Sequence, residues 1–329
     1  MKMGMRLQSA ALAAAITLIA LTGPAAAEPA FGYNLELDVV YGQGLIAPNG
    51  VETTRDLMLD VYTPSQPTGD TARPAVILVH GGAYYRGARR ATPFRGEGSV
   101  HSRQEDYARL FAPMGYVAFV IEYRLAPELP IAETPLNHPN LQDPLVAVTE
   151  AGIARTNFVR DAMGLPILSL EETREISWAT ALASAEDVYK AVEFVRNNAD
   201  LYNVDPDRIA IGGHSAGAGA LINAAFGLRA KVKAIFPLSP TVAGFDLSKV
   251  LREPELPATL LILAQNDLDS VAESIPPMLV EMEKARLDYE FAWVPGFGHF
   301  YPTGAITLGD DAIRTSVGER VTDFLADNL

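Results

Sequence analysis

Residues 208–226 read RIAIGGHSAGAGALINAAF, and this segment carries the clearest indication of the fold. It begins with the apolar, β-branched pattern of a buried strand and continues, after the central serine, with the pattern of a helix. The strand and the helix are therefore joined by a sharp turn at the serine. A serine on such a turn is held in a strained conformation with its hydroxyl pointing outward. Side chains two residues before and after it would collide with neighbouring chain, so both positions are glycine in Gly213-His214-Ser215-Ala216-Gly217. A glycine-rich turn with an incidental serine is the alternative, but the strand before and the helix after favour Ser215 as a nucleophile.

The alternation of strand and helix continues along most of the chain. Predicted strands lie at 35–40, 57–62, 75–79, 116–121, 208–212, 232–238, 259–264 and 289–294. Predicted helices lie at 104–114, 184–198, 216–226, 277–286 and 311–327. Ser184 and Asp187 have the spacing of a capping box at the start of the second helix. The first two strands are expected to form an antiparallel lead-in. The remainder predicts an α/β fold, with a mostly parallel central sheet and helices on both faces.

Residues 124–183 interrupt the alternation. The segment contains six prolines and no clear strand, with helical fragments around 146–158 and 171–181. An interruption of this length is more typical of an inserted, cap-like segment than of a loop. A cap would lie over the carboxyl ends of the strands, where open sheets bind ligands, whereas an insertion packed on the side would touch no substrate. Its apolar residues either line a pocket or, as we favour, form the segment's own core: Ile131, Leu136, Leu141, Phe158, Leu165, Ile167, Leu168 and Trp178.

A second glycine-containing motif, His80-Gly81-Gly82-Ala83, directly follows a predicted strand. Two glycines let the backbone turn there and bring bare N–H groups to the edge of the sheet. Such groups, with the N–H of Ala216 after the nucleophile, form an oxyanion hole. An ordinary strand-ending turn is the alternative, and the nearby serine turn favours the oxyanion hole. His80 is expected to brace this loop.

A base and an acid are needed to activate Ser215. In this architecture the chain order is nucleophile, acid, base. Of the five histidines only His299 follows the serine, in a loop just after a predicted strand. Asp267 follows another predicted strand by three residues and is the predicted acid, with Asp269 in reserve. The acid's role is to hold the imidazole in one tautomer and to stabilise it once charged.

The remaining histidines and carboxylates receive other roles. The side chain of His214 must point away from the serine that follows it. His101 and His138 are predicted to be exposed polar residues in loops. Asp246 and Asp288 are predicted to be solvated at the surface.

Together these motifs resemble the α/β-hydrolase superfamily, through His80-Gly81-Gly82, Gly213-His214-Ser215-Ala216-Gly217, Asn266-Asp267 and Gly298-His299-Phe300. More closely they resemble its carboxylesterase and hormone-sensitive-lipase-like branch, including secreted bacterial esterases related to acetylxylan and feruloyl esterases. Supporting stretches are LDVYTP at 59–64, EYRL at 122–125 and DPDRIA at 205–210. The resemblance covers nearly all of 33–327.

The resemblance implies hydrolysis of carboxylic esters without a metal or cofactor. It implies a triad of Ser215, Asp267 and His299, with oxyanion donors at Gly81, Gly82 and Ala216. The chain departs from the family at Ala83, where a full H-G-G-G motif has its third glycine, and in the long insertion at 124–183. Substrate choice is therefore not carried over from the family.

Composition excludes several other classes of protein. The chain has 329 residues, a net charge of -14 and no cysteine. Zero cysteine rules out disulfides, thiolate zinc sites and a cysteine nucleophile. The acidic balance argues against nucleic acid as a partner, because phosphate binding needs a basic face. The expected partner is a small-molecule ester; the oligomeric state is not readable.

The N-terminal segment has the pattern of an export signal. A short basic start is followed by an apolar run of about 15 residues and by small residues at 25–27. We interpret 1–27 as a signal peptide and 28–329 as a single mature domain that is periplasmic or secreted. A membrane anchor is the alternative, but the apolar run is shorter than a span of about 20 residues. Stable membrane insertion after signal cleavage is not expected.

Two rival functions, a lipase and a binding module, remain open on the sequence alone, and a third, a peptidase, is set aside. A lipase acting on longer acyl chains shares the chemistry but needs a large apolar surface around the mouth of its pocket. A peptidase of the prolyl-oligopeptidase kind needs a large extra N-terminal domain. A catalytically inactive binding module could also use this fold, because fold alone does not determine function. Arg86, Arg89 and Arg90 could bind an acidic substrate group, but a solvated loop is the favoured prediction.

Overall fold

The computed structural model describes residues 32–65, 71–96 and 98–329. The predicted signal peptide at 1–27 lies outside these residues. The strands are β1 (Tyr33–Ile46), β2 (Thr53–Pro64), β3 (Arg73–Val79), β4 (Arg95–Gly96), β5 (Ser99–Val100), β6 (Val117–Ile121), β7 (Val204–His214), β8 (Ala234–Leu238), β9 (Ala258–Asn266), β10 (Tyr289–Gly298), β11 (Ile306–Gly309) and β12 (Arg314–Ser316).

The helices surround the strands. They are α1 (Gln104–Phe111), α2 (Pro144–Ala147), α3 (Glu150–Ala162), α4 (Leu170–Asn197), α5 (Ala199–Tyr202), α6 (Ala216–Ile222), α7 (Leu247–Val250), α8 (Asp269–Ala285) and α9 (Val317–Asn328). A π-helical turn at Asn223–Gly227 continues α6. Over the described parts of the chain, none of the helices is both long and apolar enough to cross a membrane.

Among the residues that the structure describes, ten strands form one sheet in the order β1-β2-β6-β3-β7-β8-β9-β10-β11-β12. The six strands from β6 to β10 in this order are parallel, and the strands at both edges are antiparallel. The prediction of an α/β fold with a mostly parallel sheet and an antiparallel lead-in is confirmed. Because the central strands are parallel, their carboxyl ends meet at one edge of the sheet, and the residues just beyond those ends are brought together.

The sheet is buried on both faces. Along β3, Ile77 and Val79 join one hydrophobic cluster and Val76 and Leu78 join the other, as the alternation of side chains in a strand requires. The first cluster includes the apolar face of α4, and the second includes α1 and α9. A strand covered on both faces has no polar side, which explains the continuous apolar run of this segment.

The helix predicted at 184–198 begins earlier than its pattern indicates. Helix α4 starts at Leu170, and its capping box is formed by Ser169 and Glu172. The predicted capping box is therefore wrong. Ser184 lies inside the helix and donates to the carbonyl of Ala181 at 3.0 Å, while Asp187 binds an arginine outside it. The 28 residues of α4 thus join the second half of the insertion to the core.

The closing helix was predicted at 311–327 and is shorter in the structure. The start of that range holds the turn and the second strand of an antiparallel hairpin formed by β11 and β12. Asp311 lies in its turn and accepts a hydrogen bond from the N–H of Ile313. The helix begins at Val317, after a capping box of Ser316 and Glu319. This capping box was a readable signal in the sequence.

The insertion packs over the loop that follows β3. Its Ala126 and Val159 form a small cluster with Tyr85 of that loop. Of the eight apolar residues expected to form its own core, only Leu141 and Trp178 are buried. The prediction is wrong for the three that are exposed: Leu136, Phe158 and Ile167.

Candidate active site

Ser215 occupies the turn between β7 and α6 in a conformation that non-glycine residues rarely adopt. Its φ is 56° and its ψ is −120°. A Cβ added at Gly213 would lie 2.8 Å from the carbonyl oxygen of Val79, and one at Gly217 would lie 2.4 Å from the same atom. The neighbouring strand β3 therefore leaves no room for a side chain on either side of the serine. Sterics of the adjacent strand explain both glycines of the motif.

His299 and Asp267 lie beside this serine. The Nε2 atom of His299 is 2.9 Å from Ser215 Oγ, and its Nδ1 is 2.6 Å from Asp267 Oδ1. His299 follows β10 and Asp267 follows β9, so parallel neighbouring strands deliver both side chains to one edge. The reserve candidate, Asp269, is the first residue of α8. The structure thus brings together the three residues that the sequence proposed as a triad.

The Asp267 carboxylate is held in its charged form. Burial opposes the charge and would raise its pKa, but hydrogen bonds from His299, the Ser239 hydroxyl and the Leu268 N–H outweigh burial and hold the pKa below the ordinary 3.8. A charged carboxylate at this place fixes the proton of the imidazole on Nδ1, which leaves Nε2 free to accept the proton of the serine hydroxyl.

Sequence reasoning missed Ser239, which supports the acid. It follows β8, is fully buried, and its Oγ bonds to both Asp267 Oδ2 and the hydroxyl of Tyr301 at 3.1 Å. Its position directly after a predicted strand between those of Ser215 and Asp267 was the available signal. This position alone does not identify Ser239 as a partner of the acid, because the sequence does not give the order of strands in the sheet.

The loop after β3 presents free backbone donors near the serine. Within the described residues, the N–H groups of Gly81, Gly82, Ala83 and Ala216 donate to no protein group. Gly82 has φ of 128°, and a Cβ there would lie 1.9 Å from a backbone oxygen of the same loop, so only glycine fits. Ala83 and Ala216 line the cavity beside the nucleophile. Ala83 is a candidate oxyanion donor that the sequence did not suggest.

His80 lies under this loop. Its Nδ1 bonds to the carbonyl of Gly81 at 2.8 Å, and its ring stacks on Tyr123 with centroids 4.4 Å apart. The hydroxyl of Tyr123 donates to the His80 carbonyl at 2.9 Å. Burial lowers the pKa of His80 to about 4, although its bond to the Gly81 carbonyl acts in the opposite direction. A neutral imidazole therefore anchors the turn at which the candidate oxyanion donors begin.

Two predictions about exposure are wrong. His101, expected at the surface, is buried against His214, because a loop far away in sequence folds over it. His138 is half-buried, and its Nδ1 accepts from the N–H of Asn140 at 3.2 Å. The burial of both histidines depends on tertiary contacts, which local sequence patterns do not predict.

The arginine-containing loop after β3 is also less solvated than predicted. Arg89 is buried, and its guanidinium pairs with Asp38, Asp60 and Glu122. Arg90 pairs with the first two of these carboxylates. The loop is thus tied to β1 and β2 by ion pairs. These pairs account for Arg89 without any acidic substrate.

A cavity of about 840 Å³ opens above Ser215 and Ala216. The insertion supplies one wall, from α2, α3 and the first half of α4, and α8 supplies the opposite wall. The insertion therefore lies over the nucleophile and does not pack on the side of the sheet. Most lining side chains are apolar or small, and the charged ones are Arg155, Asp246, Glu273 and Glu281. A cavity of this size can hold a small organic ligand.

Metal chemistry has no ready site among the residues that the structure describes, because they contain no group of three or more histidine, aspartate or glutamate side chains placed to hold an ion. The arrangement found is that of a nucleophile with a base and an acid behind it. Such an arrangement is suited to acyl transfer, in which the nucleophile attacks a carbonyl carbon and takes over its acyl group.

Comparisons with known proteins agree with this architecture. A family model described as BD-FAE matches residues 167–236, which include the serine turn. No curated protein sequence matches the chain. Among solved structures, a thermophilic esterase from Thermogutta terrifontis with propionate bound is similar over 90% of this chain and 94% of its own, with a TM-score of 0.54 and 16% identity. Another structure of that esterase, phosphorylated by paraoxon, matches with a TM-score of 0.51 and 18% identity, over 90% and 92%.

Two further structures extend the likeness. A fungal esterase from Rhizomucor miehei matches over 90% of this chain and 86% of its own, with a TM-score of 0.52 and 17% identity. An α/β-hydrolase enzyme from a Medee basin deep-sea metagenome matches over 82% and 84%, with a TM-score of 0.50 and 16% identity. Identities this low show the fold alone. The chain has the α/β-hydrolase fold.

Proposed function

We propose that this protein hydrolyses carboxylic esters through an acyl-enzyme intermediate on Ser215. The observation that carries the proposal is the 2.9 Å contact between Ser215 Oγ and His299 Nε2, with Asp267 behind the imidazole, at the base of the cavity. The esterase-like family match and the esterases among the structural neighbours support the same reaction class. The Thermogutta enzyme is phosphorylated by paraoxon. In this protein an activated Ser215 would attack the phosphorus of the same reagent and displace its p-nitrophenolate.

The geometry suggests how each atom acts. His299 Nε2 removes the proton from Ser215 Oγ as the oxygen bonds to the ester carbonyl carbon. The carbonyl oxygen becomes negative and accepts hydrogen bonds from the N–H groups of Gly81 or Gly82 and Ala216. The bond to the alcohol breaks, and the alcohol oxygen takes the proton from Nε2. Water then attacks the acyl carbon while His299 Nε2 removes its proton. The bond between the acyl carbon and Ser215 Oγ breaks, Oγ takes the proton back, and the acid is released.

The strained turn favours an enzyme over an inactive binding module. Holding a serine at φ of 56° costs on the order of 1–3 kcal/mol. Such strain persists where it serves chemistry, and here it turns the hydroxyl toward the base. A module that only binds would gain nothing from this strain or from a buried carboxylate behind the histidine.

We propose esters with short to medium acyl chains as substrates. The cavity is closed on two sides by α3 and α8, and four charged side chains lie among its lining. The alternative, a lipase for longer chains, is favoured by the exposed apolar Val146 and Val280, which belong to that lining. The two alternatives differ in the chain length that is cleaved fastest.

The test is hydrolysis of p-nitrophenyl acetate, butyrate, octanoate and palmitate by the mature protein. We expect the short esters to be cleaved fastest, and we expect Ser215→Ala to lower kcat by at least about 10⁴-fold. Ser65→Ala is the matched control, because this exposed serine follows β2, whose antiparallel pairing with β6 places that end at the sheet edge opposite the triad. Palmitate as the best substrate would establish the lipase alternative. Equal inactivity of the wild type and Ser215→Ala on every ester would reject the proposal and leave the binding module.

We also propose that the protein is exported and that 1–27 is removed. The support is the basic start, the apolar run and the small residues before Glu28. Expression of the full chain in a Gram-negative host, followed by N-terminal sequencing of the periplasmic fraction, tests this. A mature N-terminus at Glu28 is expected, and an uncleaved chain in the membrane fraction would support the anchor instead.

A further inference from the structure

Three imidazole rings lie next to one another near the nucleophile, each tilted against the next. His101 precedes α1, His214 belongs to the serine turn, and His299 follows β10. The ring centroids of His101 and His214 are 3.7 Å apart, and those of His214 and His299 are 4.7 Å apart. All three side chains are buried. The proposed mechanism uses only His299, so the other two rings have no role assigned yet.

Both of the other rings hold the loop that carries His299. The Nε2 atom of His214 lies 2.9 Å from the backbone oxygen of His299, and the Nδ1 atom of His101 lies 3.2 Å from that of Tyr301. A carbonyl oxygen can only accept a hydrogen bond, so each of these ring nitrogens must carry the proton. The contacts therefore specify one tautomer for each ring.

A third contact continues along the same loop. The N–H of Thr303 donates to Ser102 Oγ at 2.9 Å. Residues 299, 301 and 303 are thus held at every second position by side chains of two other segments. The position of the His299 imidazole relative to Ser215 depends on this attachment.

The opposite edge of the His214 ring faces the candidate oxyanion loop. A Cβ built on Gly81 would lie 3.1 Å from Nδ1 of His214 and 2.8 Å from its backbone oxygen. The ring therefore contacts the loop of the oxyanion donors on one side and the loop of the base on the other. Its size sets the spacing between the two.

The surroundings keep these rings neutral. Burial, helped by the neighbouring His299, lowers the pKa of His101 to about 3, against the opposing effects of the Tyr301 carbonyl and Asp106. Burial also lowers the pKa of His214 well below its ordinary value, and His101, His299 and Arg155 act in the same direction. A neutral ring has a single N–H, which matches the single carbonyl that each ring contacts.

We propose that His214, backed by His101, is a positioning residue of the ester hydrolase: its Nε2–H holds the His299 backbone so that the base meets both the serine and the oxyanion donors. The inference rests on the proposed function and goes beyond it, because it assigns a role to the residue before the nucleophile. A displacement of about 1 Å in a reacting group can cost on the order of 10²-fold in rate. The loss of one buried donor is therefore expected to affect kcat.

The test compares His214→Gln with His214→Leu. Glutamine can place an N–H where Nε2 stands, whereas leucine fills similar space without a donor. We expect the leucine variant to lower kcat for p-nitrophenyl butyrate by about 10–100-fold with KM changed less than about threefold. The glutamine variant is expected to keep kcat within about threefold of the wild type. His101→Asn and His101→Leu form a second pair, because asparagine can replace Nδ1–H toward the Tyr301 carbonyl.

A measurement on the wild type does not depend on the variants folding. NMR of the ¹⁵N-histidine-labelled protein at pH 7 reports the tautomer of each ring. We expect the proton on Nε2 of His214 and on Nδ1 of His101. The opposite tautomer of His214 would overturn the inference even if every variant unfolded.

The outcomes separate this inference from the proposed function. If the wild type hydrolyses esters through Ser215 and the leucine variant is equally fast, His214 is not a positioning residue and the esterase proposal stands. Equal losses in the glutamine and leucine variants, or a rise in KM alone, would also overturn the role of the hydrogen bond. If the wild type shows no hydrolysis that depends on Ser215, the proposed function and this inference fail together.

Discussion

Asp267 and Asp269 stand two residues apart after the same strand, yet their environments differ. Asp267 accepts hydrogen bonds from His299, Ser239 and a backbone N–H, whereas Asp269 begins α8. The carboxylate that contacts the imidazole determines its tautomer, and the amide of asparagine would favour the wrong one.

We expect Asp267→Asn to lower kcat for p-nitrophenyl butyrate by about 10⁴-fold. Asp269→Asn, the matched control, is expected to stay within about threefold of the wild type. Steady-state kinetics at pH 7.5, with circular dichroism to check folding, measure both. A larger loss in Asp269→Asn than in Asp267→Asn would show that the acid is assigned to the wrong residue.

The nucleophile and the base could be predicted from the sequence, because their motif and their order along the chain identify them. Ser215 sits in a distinctive turn, and His299 is the sole histidine that follows it. Ser239 and His101 were missed because their roles depend on which strands are neighbours and on which loops fold over them. Local patterns carry no such information.

A buried ion pair links the first residue of the insertion, Arg124, to the core half of α4. The Arg124 guanidinium is fully buried and pairs with Asp187 at 2.8 Å and Glu186 at 3.1 Å, both on α4. It also donates to the carbonyl oxygens of Leu45 and Ile131. Removing one partner of such a pair leaves an uncompensated buried charge.

We expect Arg124→Met to lower the free energy of unfolding by about 3–5 kcal/mol. The double variant Arg124→Met/Asp187→Leu should recover part of that loss, since it removes the charge of Asp187 while that of Glu186 remains. Lys284→Met, which removes an exposed pair with Glu281, is the control and should cost less than about 1 kcal/mol. Urea unfolding followed by circular dichroism gives the three values. No recovery in the double variant would mean that packing of the arginine, and not its charge, is what matters.

The buried strands were predicted well, because a short, continuous, β-branched apolar run is typical of few structures other than a buried strand. The start of α4 was not, because Ser184 and Asp187 imitate a capping box inside the helix. The turn and second strand of the hairpin were predicted as helix, and β11 was not predicted at all, because the two strands have only four and three residues. Strands so short show too little alternation to be recognised.

Across the whole molecule, three histidines are buried in neutral form, and this sets the response to acid. Burial lowers the pKa of His80 to about 4 and that of His101 to about 3, and places that of His214 well below its ordinary value. In the unfolded chain each titrates near 6.5. Between about pH 6.5 and pH 4 the unfolded state therefore binds protons that the folded state does not, and stability falls as pH falls. The lowered pKa of Asp267 adds a loss only at lower pH, below its ordinary 3.8.

From the three histidines we expect the free energy of unfolding to fall by up to ~4 kcal/mol per pH unit below about pH 6, since each proton contributes ~1.4. The raised pKa values of Asp187, Glu290 and Asp323 act against this fall. In His101→Asn the slope should be smaller by about a third. Urea unfolding at half-unit intervals from pH 7.5 to 4.5 measures both slopes. Identical slopes in the wild type and in His101→Asn would contradict a neutral buried His101.

For the whole molecule, the sheet class and the edge that carries the site could be predicted from the sequence, because parallel strands bring the loops at their carboxyl ends to one edge. The location of the insertion over the nucleophile was expected from that same rule. The shape of the cavity was not predictable, since it depends on how α3 and α8 face each other across the site.

The continuity of α4 limits how the cavity can move. A helix of 28 residues is a rod about 42 Å long, with its first half in the cavity wall and its second half in the core. No break in the rod separates the two halves, so this wall cannot swing as a hinged lid does. Within this wall, any motion that admits a ligand must come from α2, α3 and their short connections, whereas α8 forms the opposite wall. A ligand therefore meets one wall whose shape is set beforehand, and binding against that wall costs the protein little conformational entropy.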